Sequence, residues 1–288
     1  MPTTYAHWRF GEHCIKTLPE DLQKTVNKYR HEFDFGVHGP DIFFYYDALK
    51  HNDVNRYGTW LHDQPFKDTL EKTFKPQYLK HENKEAALSY LLGFLCHFTL
   101  DSYCHGYIDR KDEVSGCSHG RIEAQLDRYF LIKDGFDPVK KSVTFSLKPT
   151  AECCRNIALM YDKFDEKTVA KSLKDQLFYL NLLKDNSDIK RALLRTAMKL
   201  AKANSFLDLL IGKEEDPRCR DSMLRLDKYF EKAKEHYPIL AKNFVEYLNN
   251  DAPLDDYFHN HFCPKEDYKE IPILSYEDEL NYQVDFQK

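Results

Sequence analysis

Leucines and aromatic residues recur at three- and four-residue intervals along most of this chain, with lysines and acids between them. That is the period of a helix that buries one face and wets the other. The pattern predicts an amphipathic segment over residues 4–17, with Trp8, Phe10, Ile15 and Leu18 as candidate core. Pro19-Glu20-Asp21 opens the next helix, which runs to about residue 33, because proline suits a first turn and acids complement the helix dipole there. Phe35-Gly36-Val37-His38-Gly39-Pro40 breaks it, and Asp41 sits where it can cap a strongly apolar helix that begins at Ile42. Residues 51–66 read as a loop and 66–74 as a helix. A central helix starts near Asn83 and ends near His105; it is apolar nearly all round from residue 86 to 100, which predicts burial on most sides. A polar loop over 106–118 leads to a helix over 119–132 that Ser118 can cap, and residues 134–149 carry the modest strand character of the chain. Residues 150–163, 166–184, 187–211, 217–233 and 235–249 read as further helices. The expected fold is all-α: one multi-helix domain over residues 1–250, with an irregular extension over 251–288 that packs on it or trails from it.

Composition narrows the class. The 288 residues are 42% apolar and 31% charged, with 10 glycines and 12 prolines, which suits a globular chain of long helices. A formal charge of −5 gives no electrostatic case for a nucleic-acid surface. The longest apolar run, around Leu91–Cys96, is far below the roughly 20 residues of a membrane span, and Met1–Phe10 lack the basic and apolar regions of a secretory leader. A cytoplasmic protein is expected. The eight cysteines include no CxxC pair and are expected to be reduced and mostly buried.

Candidate chemistry lies in the central helix. His97, Asp101 and His105 are four residues apart, and His119 and Glu123 repeat the interval. Side chains four apart share a helical face, so the first segment presents imidazole, carboxylate and imidazole in a line and the second presents imidazole and carboxylate. Histidine nitrogen and carboxylate oxygen are the ligands of hydrolytic zinc sites. His97 and Asp101 also lie in or beside the most apolar part of the chain, where polar groups need partners.

This set, preceded by Leu-Gly-Phe-Leu-Cys, resembles the zinc-dependent phospholipase C family, whose all-helical fold is shared with single-strand-specific zinc nucleases. The likeness extends upstream to His7, to Gly-Pro-Asp41 and to His62, and it covers residues 1–130 by motif. The resemblance implies a cluster of two or three Zn2+ ions, with Mn2+ or Fe2+ as alternative occupants of a His/carboxylate set. By the same resemblance Asp41, His62, His97 and Asp101 match the ligands of one ion, with Asp101 bridging to a second. His105, His119 and Glu123 match the ligands of another ion, and His7 matches the side-chain ligand of the bridged site. Asp41 is also the candidate catalytic base. The implied reaction is hydrolysis of a phosphate ester, with a phospholipid head group as one candidate substrate and transient membrane contact as a corollary.

Three features depart from the family pattern. Asp101 and His105 are two residues closer than in the secreted phospholipases and lack the intervening proline, although the short spacing keeps both on one face. His7 lies six residues from Met1, so the terminal amine that completes the third site elsewhere has no clear counterpart, and Ile42 stands where the secreted enzymes have an aromatic residue for choline. A nuclease or nucleotide phosphatase would use the same ligands, and a non-catalytic, metal-stabilised helical binding protein is the rival from another class. His38 is the imidazole best placed to act beside Asp41, whereas His259 and His261 read as an exposed polar loop.

Overall fold

The central helix predicted from residue 83 is the buried axis of the structure. In the computed structural model it is α7 (Lys84–Ser115), and it is buried at almost every position from Ala86 to Ile108. Residues 4–184, 187, 190, 192–194, 196, 198, 207–263 and 267–284 are described, so the helix expected over 187–211 lies mostly outside the described residues. Asn83 caps α7 by accepting from the Ala86 N–H, and Gly116 ends it in the left-handed conformation that glycine tolerates best. The expected end near His105 and loop over 106–118 are therefore corrected. Between Cys104 and Ser115 the chain has no proline and a single glycine, Gly106, so nothing interrupts the backbone ladder.

Ahead of α7 lie α1 (Thr4–Thr17), α2 (Glu20–Lys28), α3 (Arg30–Gly36), a 3-10 helix (Gly39–Tyr45) and α4 (Asp53–Asp63). A break at Tyr29 splits the helix expected over 19–33 in two. The loop expected over 51–66 is also corrected. Asn52 accepts from the N–H groups of Val54 and Asn55, and Val54, Tyr57, Gly58 and Leu61 form the buried face of the helix that this cap starts. Next come α5 (Phe66–Thr69), a π-helical turn (Leu70–Phe74) and α6 (Lys75–Lys80), which lead to α7. α8 (His119–Lys133), α9 (Ala151–Ala158) and α10 (Glu166–Leu183) follow.

Among the described residues there is no strand, and residues 134–149 form turns and bends. The helices expected over 217–233 and 235–249 are one, α11 (Arg220–Asn250), which carries Pro238 inside it. Its buried face, through Leu226, Phe230, Ala233, Tyr237, Leu240 and Phe244, stays in phase across the proline, so core packing holds both halves to one axis.

Two features of this packing position the site. Helices α3 and α7 cross where Gly36 meets Gly93, and a β-carbon on either would run into the backbone of the other helix. This close approach lets the Val37 carbonyl reach His97. The C-terminal segment also returns to the core: Tyr257, Phe258 and Phe262 are buried, and the Phe66 N–H donates to the Asn260 carbonyl. Farther on, α12 (Tyr276–Asn281) brings Glu279 to Arg225. Most cysteines are buried thiols as expected, but Cys117 and Cys219 form a disulfide across 102 residues, which corrects the reduced state expected for that pair. Folding sets the loop ahead of α8 beside the turn ahead of α11, an adjacency that sequence spacing does not display.

Candidate metal centre

The unbroken α7 carries His97, Asp101, His105 and Asp109 at four-residue intervals. Asp101 lies at the middle of the assembly. Its Oδ2 is 2.9 Å from His97 Nε2 and 3.5 Å from His105 Nδ1, and its Oδ1 is 3.1 Å from His7 Nε2 on α1. The 3-10 helix brings Asp41, whose Oδ1 is 3.1 Å from His62 Nε2 on α4 and whose Oδ2 is 3.6 Å from His97 Nε2. On α8, Glu123 Oε1 is 3.1 Å from His119 Nε2 and 3.4 Å from His105 Nε2. All eight candidate ligands thus converge, and six of them are buried, His62 and His119 being partly buried. Their donor atoms form three groups that could each hold a cation, two of them sharing His97: His7, His97 and Asp101; Asp41, His62 and His97; and His105, His119 and Glu123. His97 belongs to two groups, so it joins Asp101 at the centre of the set.

Hydrogen bonds fix which way the imidazoles face. His62 Nδ1 is 2.8 Å from the Gly58 carbonyl, His97 Nδ1 is 3.3 Å from the Val37 carbonyl, and His105 Nδ1 is 3.0 Å from the Phe262 carbonyl. His119 Nδ1 is 2.8 Å from Asp109 Oδ1. A carbonyl or carboxylate oxygen can only accept, so in all four rings Nδ1 holds the proton and donates it. The Nε2 atoms then point at carboxylates. Lone pair against carboxylate is repulsive unless a proton or a metal cation lies between them. Two atoms bound to one zinc at about 2.0–2.2 Å stand roughly 3.3–3.5 Å apart, close to the separations observed. His97 Nε2 and Asp41 Oδ2 are buried without a hydrogen-bond partner, a condition that a bound cation relieves. The residues fit divalent zinc, and the Nδ1 contacts are the outer bonds that orient metal-binding histidines.

The electrostatics follow from this crowding. Burial alone would raise Asp101, but the His105, His97 and His7 imidazoles reverse the effect and hold its carboxyl well below the usual range. Burial would raise Asp41 likewise, and His97 and His62 bring it below its ordinary value. His97 is itself lowered by burial, against the pull of Asp101 and Asp41. A second proton on His97 is therefore disfavoured, which leaves a metal cation as the better counter-charge.

A cavity of about 200 Å3 opens over the cluster, walled by Asp41, His62, Asp101, His105, His119 and Glu123. Phe44, Thr59 and Asp63 also line it. Ile42 is buried in the core, and the aromatic wall comes from Phe44, which stacks on His62 at 5.2 Å. His38 is buried with both ring nitrogens unpartnered, near His7, Asp41 and His97, and it belongs to none of the three groups. His259 is exposed at a 3-10 turn and bonds to the Asp256 carbonyl, away from the cluster.

Sequence reasoning missed four contributors. Asp109 orients His119, and Asp127 accepts from the first turn of α1; both continue the four-residue intervals already visible on α7 and α8. That periodicity was the available signal. The Phe262 carbonyl and Cys263, whose Sγ is 3.3 Å from His105 Nδ1 and lines the cavity, arrive from the C-terminal segment with no sequence signal.

The sequence model of one family, described as zinc dependent phospholipase C, matches residues 6–203. No curated protein and no solved structure matches the chain. The matched span contains all eight candidate ligands, whereas Phe262 and Cys263 lie beyond it.

Proposed function

This chain belongs to the zinc-dependent phospholipase C family, and from that premise we propose that it hydrolyses phosphodiesters at the cavity over the His/Asp/Glu cluster. The observation that carries the reading is the shared orientation of His62, His97, His105 and His119, each anchored through Nδ1 and facing a carboxylate through Nε2. Zinc would be held by the three groups centred on His97, Asp101 and Glu123, and when bound it supplies Lewis acidity toward a phosphoryl oxygen and acidifies water.

The chain's own residues supply the rest. Asp41 directs Oδ1 at His62 and leaves Oδ2 without a hydrogen bond at the cavity wall. Its lowered pKa keeps it ionised near neutral pH, so it can accept the proton of an attacking water. Water oxygen bonds to phosphorus, the proton passes to Asp41, the ester P–O bond breaks, and the departing alkoxide recovers a proton from Asp41 or solvent. Buried carboxylates would repel an anionic phosphodiester in an uncharged pocket, so the reaction depends on the positive charge that the imidazoles and ions bring. The cavity is smaller than the roughly 300–1,000 Å3 of sites that enclose a drug-sized ligand. It therefore takes the phosphate and leaves most of both ester arms outside, which favours a reaction class over one narrow substrate.

The test is hydrolysis of bis-nitrophenyl phosphate and phosphatidylcholine by the purified chain, before and after chelation and zinc return. The proposal expects activity that chelation removes and zinc restores, and that Asp41→Asn lowers by about 100- to 10,000-fold. A folded, zinc-loaded chain inactive on both esters and on single-stranded DNA would overturn it in favour of a non-catalytic metal protein.

A further inference from the structure

The α8 ladder has a third rung. Asp127 follows Glu123 by four residues, is buried, and turns away from the cluster to the start of α1. Its Oδ1 accepts from the Ala6 N–H at 2.8 Å and its Oδ2 from the Tyr5 N–H at 3.1 Å. First-turn N–H groups have no acceptor within their own helix, and α1 has no acid in its first turn. A neighbouring helix thus supplies the acceptor oxygens that the first turn of α1 lacks.

The next residue after Ala6 is His7, and His7 is the exception among the five candidate imidazole ligands. The other four are each held at Nδ1 by an oxygen. His7 Nδ1 is buried with no partner, while Nε2 faces Asp101 and the ring stacks on His97 at 4.4 Å. No hydrogen bond from behind orients this ring, so its reach toward Asp101 is set by where the backbone of α1 begins. Asp127 sets that position with two bonds to the residues immediately before it.

We infer that Asp127 is a positioning residue for the metal centre, acting on His7 through the α1 backbone as the Nδ1 acceptors act on the other histidines. The inference rests on the zinc-centre reading above. Asp134 provides the internal comparison. It anchors α1 to the end of the same α8, through the Tyr5 hydroxyl at 2.9 Å and Arg9 at 2.8 and 3.0 Å, but it does not touch the first-turn N–H groups. If any tether between α1 and α8 serves, the two carboxylates are equivalent; if Asp127 positions His7, they are not.

The experiment measures zinc per chain by mass spectrometry at graded free zinc, with circular dichroism, for wild type, His7→Ala, Asp127→Ala, Asp127→Asn and Asp134→Asn. Asp127→Ala is expected to lose the same zinc equivalent as His7→Ala and to keep the rest. Asp127→Asn, with one acceptor oxygen left, is expected to weaken that equivalent by about 10- to 100-fold, the usual effect of losing an outer partner. Asp134→Asn is expected to bind zinc as wild type does. Wild-type affinity for every equivalent in folded Asp127→Ala and Asp127→Asn would overturn the inference, as would an equal loss in Asp134→Asn. Should Asp127→Ala fail to fold, the isosteric Asp127→Asn decides alone. A wild type without zinc would overturn the metal-centre reading itself, and His7→Ala would then change nothing.

Discussion

Arg225 and Glu279 are fully buried, and so, within a few per cent, are His97 and Asp41, yet the two places use their polar atoms differently. Arg225 donates through Nε and Nη2 to both oxygens of Glu279, at 3.0 and 2.8 Å, and its guanidinium stacks 3.8 Å from the Tyr282 ring centre. A third bond reaches the Pro272 carbonyl, and one nitrogen, Nη1, is left without a partner. There the opposite charges satisfy each other and fasten α12 to α11. At the cluster, imidazoles and carboxylates converge without closing into matched pairs, and His97 Nε2 and Asp41 Oδ2 form no hydrogen bond. Burial alone therefore does not separate a structural polar group from a functional one. What separates them is whether the donors and acceptors balance.

That contrast yields predictions that separate binding from stability. Asp101→Asn should weaken metal binding and activity together, by at least about 1,000-fold in turnover, because Asp101 is the carboxylate of the His7/His97 group and also faces His105. Its far-ultraviolet circular dichroism should match wild type. Arg225→Ala should do the reverse: denaturant titration should show a loss of about 3–5 kcal/mol from the charge left on Glu279, with zinc per folded chain unchanged. Replacing both Arg225 and Glu279 by apolar residues of similar volume should cost much less than either single change, which a double-mutant cycle would read.

Chelation should lower the melting temperature of wild type by more than that of Asp101→Asn, which keeps the groups that lack Asp101. Each ion present at 100 times its dissociation constant contributes about 2.7 kcal/mol. A smaller effect is expected at Asp109. Asp109→Ala frees His119 Nδ1 and should weaken the His105/His119/Glu123 site by about 10- to 100-fold in a competitive chelator titration.

The Arg30–Asp34 pair lies between the two extremes, with a buried carboxylate and a half-exposed guanidinium 2.7 Å apart. Burial pushes Asp34 up to about 6, against the lowering pull of Arg30. A raised carboxyl pKa means that the folded chain binds the extra proton between about pH 4 and 6. The associated stability is complete below that window and is lost as pH rises through it. Relative to Asp34→Asn, wild type should lose roughly 1–3 kcal/mol from pH 4 to pH 6, measured by urea titration at each pH.

Part of the candidate cluster is legible in the sequence because helical positions four apart share a face. His97, Asp101, His105, His119 and Glu123 follow from four-residue spacing alone, and the all-α fold follows from the apolar pattern. His7, Asp41 and His62 came from family resemblance, since three separate elements bring them together. The loop expected around His62 is a helix because the Asn52 cap and the buried face of α4 outweigh a polar composition. The expected loop over 106–118 hid the Asp109 rung for a similar reason. The balanced pair was not legible. Arg225 and Glu279 are 54 residues apart in segments with no shared period, as are His105 and the Phe262 carbonyl, 157 residues apart. Contacts between distant segments depend on how helices pack, and residue spacing within a helix does not encode that.

The central claim is that the unbalanced donors around His97 and Asp101 exist to hold metal. Its most direct test is zinc per chain by mass spectrometry for wild type and a variant that combines His97→Ala with Asp101→Ala. At least two zinc ions are expected in wild type and, in the folded double variant, loss of the ions held by the two groups that contain His97. Full wild-type occupancy in that variant would contradict it.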